Sequence, residues 1–250
     1  AGAGYSPRMA GKRRLRWLPR LALAGAMALA GFAGFEWATW PDVAALREGD
    51  PATTAFIERY RARQRAAGRS DRVAWRPVPA RRISPELKIA VLVAEDIDFF
   101  SHRGFATGEM KAALAAAWDD RRLPRGASTL TQQLAKNLWL SPSRNPWRKA
   151  KEALLTRELE RTLGKARILE LYLNVVELGP GLYGAEAAAG QYFGKSASAL
   201  TAPEAAALAA TLPKPSAWHP GSESRAYRRR VETVRRRMEK ARGWLLPLVR

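Results

Sequence analysis

Three groups of polar residues have types and spacings that could do chemistry. Ser128, Gln132 and Lys136 fall at i, i+4 and i+8, which is one side of an α-helix. A hydroxyl, an amide and an ammonium in one stripe make a donor-rich row. Such a row suits an anionic, hydroxyl-rich ligand such as a sugar phosphate. It equally suits the solvated face of an ordinary amphipathic helix. Glu95 and Asp96 close an apolar run, ahead of an aromatic segment from Phe99 to Phe105. A carboxylate in that place is costly unless it is solvated or paired, so a structural cap or ion pair is one reading and a functional acid another. Arg148 and Lys149 stand at i−4 and i−3 from Glu152, so both cations can reach its carboxylate or a ligand beside it. A surface salt-bridge ladder has the same spacing.

Helices are the elements that would position these groups. Ser84-Pro85-Glu86 reads as N-cap, proline at N1 and an acid in the first turn, opening a helix over Leu87 to Asp96. Thr107 can cap a second helix, Gly108 to Trp118, and Asp119 to Gly126 reads as a charged loop. Leu130, Leu134 and Leu138 give the Ser128 helix a core side. Asn145-Pro146 opens a helix to Leu163, with Gly164 at its C′ position. Lys165 to Val176 is predicted helical, and Leu178 to Gly184 is predicted as a glycine-rich loop. Thr201 to Glu204 is a capping box before an alanine-rich helix to Leu212. Arg225 to Arg242 is predicted as a last, strongly basic helix. Thr54 to Arg65 reads as a short helix and Val73 to Pro79 as an extended segment. Little else reads as strand, so the fold class is mainly α.

The chain has 250 residues, a net charge of +20 and a pI near 11.1. That charge favours polyanions, whether nucleic acid, lipid headgroups or pyrophosphate. Cysteine is absent, which excludes disulfides and cysteine-ligated metals, and the two histidines are too few for a histidine-based metal cluster. Residues 1–20 form a basic tail in which Met9 is a candidate start. Residues 21–40 read as a transmembrane anchor: the uncharged run Leu21 to Phe35 is short, but counted from Trp17 to Trp40, with Arg20 and Glu36 snorkelling, it is long enough for a bilayer core. A cleaved signal peptide is the competing reading, because Ala28-Leu29-Ala30 is an acceptable cleavage site. The positive-inside rule puts the amino terminus in the cytoplasm and the remainder outside the inner membrane, in the periplasm. Residues 41–82 read as a basic connector, 83–220 as the main helical domain, which holds all three polar groups, and 221–250 as the basic terminal helix. The arginines from Arg59 to Arg72 and from Arg225 to Arg242 are solvated faces or contacts with anionic membrane lipids.

Gly126 to Asn137, GASTLTQQLAKN, resembles the second motif of the peptidoglycan glycosyltransferases. That family includes monofunctional membrane-bound transglycosylases and the amino-terminal domains of bifunctional penicillin-binding proteins. Glu95, Asp96, Phe99, His102 and Gly104 resemble its first motif. Arg144, Arg148, Lys149 and Glu152 resemble its third. Lys165, Ile168 to Glu170 and Tyr172 to Asn174 resemble the fourth. Gly184, Tyr192 to Lys195, Glu204 and Pro213 resemble the fifth. An Asp often follows the Gly-Phe of the first motif, and this chain has Ala106 there, with Glu109 as the nearest substitute.

The resemblance implies a lysozyme-like helical domain with a smaller membrane-proximal lobe. It implies transfer between lipid II molecules, with the growing glycan chain as product and undecaprenyl pyrophosphate as leaving group. Glu95 would be the general base and Glu152 the second essential glutamate, near the donor, orienting the neighbouring cations or stabilising positive charge at C1. Ser128, Gln132, Gln133, Lys136, Arg144, Arg148 and Lys149 would bind substrate. Asp96, Phe99, His102, Gly104 and Asn174 would hold the architecture. No cofactor is expected beyond a divalent cation, Mg or Mn, on the pyrophosphate, and no metal site in the protein. Other cell-wall synthesis or division proteins are candidate partners; nucleic acid is not. Two rival readings are a muramidase or lytic transglycosylase, and a non-catalytic, membrane-tethered binder of polyanions.

Overall fold

The computed structural model describes residues 18–106, 128–143 and 145–250. The helix and loop expected between Thr107 and Gly126 lie outside the described residues, as does Arg144. The chain divides into two units, Ala1–Asp42 and Val43–Arg250. In the first, α1 spans Leu18–Ala38. Its apolar stretch Pro19–Ala38 has 20 residues, none of them buried. At 1.5 Å per residue that is about 30 Å, the thickness of a bilayer core. Leu21, Met27, Leu29 and Phe35 are each more than 60% exposed, a surface that water does not favour. The helix ends two residues before Trp40.

Among the described residues, the second unit contains the α-helices α2 (Ala55–Ala66), α3 (Pro85–Glu95), α4 (Leu130–Trp139), α5 (Pro146–Thr162), α6 (Lys165–Val175), α7 (Ala185–Phe193), α8 (Ala202–Thr211) and α9 (Arg225–Val249). Its small sheet has the order β1 (Ala74–Trp75), β3 (Leu182–Tyr183), β2 (Glu177–Gly179). The connector and the terminal helix, read from sequence as separate segments, fold into this same compact unit.

The core is built on α3, whose residues Leu87 to Val93 are all buried. A helix apolar on every side must be enclosed, and α8 and α9 enclose it. Side-chain ties fix α9 along α3. Lys88 Nζ donates to the carbonyl of Val249 at 2.9 Å, capping the last turn. Arg237 donates to the Val93 carbonyl at 3.2 Å, and Arg242 pairs with Glu86. The other side of the unit is α4 packed on α5 and α6, with α2 against α4.

Local chemistry explains where the sequence reading needs correction. Helix α4 starts at Leu130, because Thr129 is its N-cap and forms a capping box with Gln132. Ser128 therefore precedes the helix. Gly164 does follow the α5 C-cap Leu163 at C′, but its φ is −75°, not left-handed, and it also serves as the N-cap of α6. The expected loop from Leu178 to Gly184 is a bulged hairpin, with β3 parallel to β1 through Ala74–Leu182 and Trp75–Tyr183. Asn174 ties that sheet's connector to α6. Its side chain accepts from Val78 N at 3.0 Å and donates to Val78 O at 2.8 Å. The indole of Trp75 donates to its carbonyl at 2.7 Å. In the basic connector, Arg61 and Arg65 are paired with Glu58 and Asp71.

Candidate active site

Glu95 is the last residue of α3 and Asp96 its C-cap, so the two acids point to different tasks. Asp96 is structural in its contacts. One oxygen accepts from Leu130 N at 2.9 Å, at the positive end of the α4 dipole. The other lies 2.9 Å from His102 Nε2. Gly104 N donates to His102 Nδ1 at 3.1 Å, which leaves Nε2 to carry the proton donated to Asp96. The Gly104 carbonyl in turn accepts from Thr129 Oγ1 at 2.7 Å. Phe99 is buried beneath this loop, with Lys165 Nζ 4.4 Å from its ring centre. The end of α3 and the start of α4 are thereby locked together.

That lock sets the α4 side chains against Glu95. Gln133 Nε2 donates to Glu95 Oε2 at 3.1 Å, and Tyr172 OH donates to Gln133 Oε1 at 3.0 Å. Arg230 of α9 donates to Glu95 Oε1 at 2.9 Å. Burial pushes the Glu95 carboxyl above the ordinary glutamate range, opposed by Gln133, Arg230 and Lys136. The Nε of Arg230 is buried without a hydrogen-bond partner among the described residues.

Lys136 lies one turn along α4 from Gln132 and is half-buried. Burial lowers its pKa; Glu152 opposes that shift, while Arg148 and Lys149 add to it. These groups thus share one electrostatic environment. Glu152 is 3% exposed, and its two oxygens are held by Arg148, at 2.7 Å, and by Lys149. Beside Lys136 opens a cleft of about 470 Å³. Phe56, Gln133, Lys136, Tyr172, Glu177 and Lys214 are among its walls, and Arg63 from the basic connector also faces it.

The expected substrate row is therefore divided. Gln133 and Lys136 face the cleft. Gln132 is buried and spends its amide oxygen on Thr129 N at 3.0 Å. Ser128 is exposed ahead of the helix. Asn174, expected only to hold the architecture, ties the connector through Val78. Arg148 and Lys149 stand on Glu152, and Arg144 lies outside the described residues. Sequence reasoning missed Arg230, Thr129 and Glu177, and used Tyr172 only as part of a motif. For Arg230 the available signal was the apolar spacing of Tyr227, Val234, Met238, Ala241 and Leu245, which turns part of a basic helix inward. Among the described residues no group of three or more His, Asp and Glu could hold a metal ion.

The transglycosylase family model matches residues 63–239, which contain Glu95, Glu152 and every cleft residue named above except Phe56. The chain belongs to the transglycosylase family. It is 40% identical over 224 residues to the biosynthetic peptidoglycan transglycosylase of Laribacter hongkongensis, covering 90% of this chain and 97% of the relative. Proteins of the same description from Thiobacillus denitrificans and Azoarcus sp. are each 46% identical, covering 76% and 80% of this chain and 82% and 85% of their own lengths. In this transglycosylase a carboxylate kept partly desolvated can take a proton from a hydroxyl. The neighbouring cations can meet a leaving anion.

Proposed function

We propose that this peptidoglycan glycosyltransferase polymerises lipid II, the lipid-linked disaccharide pentapeptide, into β-1,4-linked glycan. The single observation behind this reading is that Gln133 and Lys136 line one cleft while the Gln133 amide holds Glu95 directly behind it. Glu95 takes the proton of the acceptor's GlcNAc 4-hydroxyl as that oxygen attacks C1 of the donor's MurNAc. Undecaprenyl pyrophosphate leaves, and the configuration inverts. A sugar hydroxyl is a poor nucleophile, so a positioned base is needed. The pyrophosphate needs no proton to leave, but its charge must be met. Lys136, Arg148 and Lys149 supply that charge, with Arg144 from the same motif, and Glu152 orients two of them. Mg or Mn carried on the pyrophosphate would add to this neutralisation.

Helix α1 anchors the enzyme, with the amino terminus in the cytoplasm and the catalytic unit in the periplasm. Length and apolar composition support the anchor, and the basic flank from Lys12 to Arg20 supports the orientation. Protease added to spheroplasts should digest the catalytic unit; protection would reverse the topology.

The reaction is tested with purified full-length protein and labelled lipid II. Glu95→Gln should lower polymerisation by about 10²–10⁴-fold with little change in lipid II binding. Lys136→Ala should impair both. A muramidase would instead release soluble muropeptides from finished peptidoglycan and tolerate Lys136→Ala. Wild-type polymerisation by Glu95→Gln would overturn the assignment of the base.

A further inference from the structure

Helix α9 carries more positive charge than its packing uses. Tyr227, Val234, Met238, Ala241, Leu245 and Val249 form its buried side. Arg229, Thr233, Arg236, Lys240 and Trp244 lie on a different side, within an arc of about 80° at 3.6 residues per turn. Arg229, Arg236 and Lys240 are exposed. Among the described residues, none of the three is paired with a carboxylate. The acids of the helix form no ion pair with them, although Glu232 lies within electrostatic reach of Arg236. Glu232 and Glu239 sit on one flank, where Arg235 engages them at 2.9 and 2.5 Å. Thr233, Arg236, Arg237 and Lys240 line a shallow depression of about 290 Å³. Trp244 and Leu248, each 49% exposed, continue this side towards the carboxyl end.

A merely solvated helix face intersperses its charges. Here the acids are drawn to one edge, and the acid-free side joins cations to an exposed indole and leucine. That combination matches an anionic lipid surface: the cations meet phosphate, and tryptophan settles at headgroup depth. We propose that this side of α9 is a second membrane contact, docking on anionic phospholipid headgroups. The inference is independent of the reaction chemistry.

The chain contains no cysteine, so one introduced thiol can be labelled uniquely. Gly243 is exposed, and a Cβ there meets nothing within 4 Å. It lies beside Arg236 on the helical wheel. Full-length Gly243→Cys, carrying an environment-sensitive fluorophore, is reconstituted in phosphatidylcholine nanodiscs with and without phosphatidylglycerol. Both disc types contain a headgroup-borne quencher. Quenching should be strong only with phosphatidylglycerol, and should weaken as salt rises. Each near-surface cation strengthens attachment about fivefold. Reversing Arg229, Arg236 and Lys240 to Glu should therefore lower the docked-to-undocked ratio by at least about 100-fold. Circular dichroism checks that this variant remains folded, and the salt titration tests the wild-type surface without any substitution. Equal quenching in both lipids, quenching that survives charge reversal, or none in either lipid would overturn the proposal. If α1 does not insert, the same label is read on protein added to vesicles of the same lipids, so the anchor and the docking side fail separately.

Discussion

Arg230 of α9 and Glu95 of α3 are joined by a 2.9 Å ion pair across 135 positions of sequence. The pair puts a cation on the carboxylate proposed as the base. Glu95 works only when ionised, and burial pushes it towards the neutral form. Removing Arg230 therefore moves the pKa of Glu95 further up. In Arg230→Gln the acid limb of the kcat/KM profile should shift to higher pH by about 1–3 units. Activity should recover in part as pH rises, and Arg230→Lys should restore most of the shift. The sign for stability follows from the same raised value. Glu95 favours the fold fully below the ordinary glutamate pKa, about 4.3, and that contribution is lost as pH rises through the folded-state value. A uniform loss of activity at every pH would show Arg230 to be only a packing residue.

Lys136 sets the opposite limb. Burial lowers its pKa, so it sheds its charge below the usual lysine value, about 10.4. Donor binding should weaken on the alkaline side before an exposed lysine would titrate. Lys136→Arg should flatten that limb, because guanidinium keeps its proton. Lys136→Ala should weaken donor binding by about 10–150-fold, the worth of a charged hydrogen bond. Isothermal titration with a non-reacting lipid pyrophosphate across pH measures both effects.

The adjacent glutamines should separate cleanly. Gln132→Ala breaks the capping box with Thr129, at about 1 kcal/mol, and should lower Tm by about 2–4 °C. Gln133→Ala should reduce turnover far more than Gln132→Ala, because its amide holds Glu95; it also unpairs the buried Tyr172 hydroxyl, at about 1–3 kcal/mol. Thermal scans and lipid II turnover on both variants test this. The reverse pattern would relocate the substrate-facing amide to Gln132.

Gly104 and Gly190 give a second contrast. Gly104 has φ +88°, and a Cβ there would lie 2.8 Å from Thr156 Cγ2. Gly104→Ala combines left-handed backbone strain with overpacking, costing about 2–4 kcal/mol. Gly190 is exposed within α7 and has open space around it. Gly190→Ala should stabilise by about 0.5–1 kcal/mol. Urea melts of both variants provide the measurement.

Much of this arrangement was legible in sequence because it is local. Ser84, Thr54, Asn145 and Thr201 cap the helices that their types announce. Glu152 with Arg148 and Lys149 is a helix-spacing relationship, readable from the i, i+4 and i, i+3 intervals. What could not be read depends on partners far along the chain. The β1–β3 pairing joins residues about a hundred positions apart, through strands too short to carry a period-two pattern. Gln132 and Gln133 have the same chemistry, and only the start of α4 at Leu130 decides which faces the cap and which the cleft. Arg230 was hidden among arginines of identical composition. Its role is set by which side of α9 faces α3.

The tie between α3 and α9 also imposes an order on assembly. A chain made from its amino end presents Glu95 well before Arg230 exists. Until α9 folds back, α3 lacks one of its enclosing walls and Glu95 lacks its guanidinium. Closing so long a loop is a late, entropically costly event in folding. Helix α1 is thus made long before Glu95 gains its guanidinium, and full competence near neutral pH is expected only once the final helix is in place.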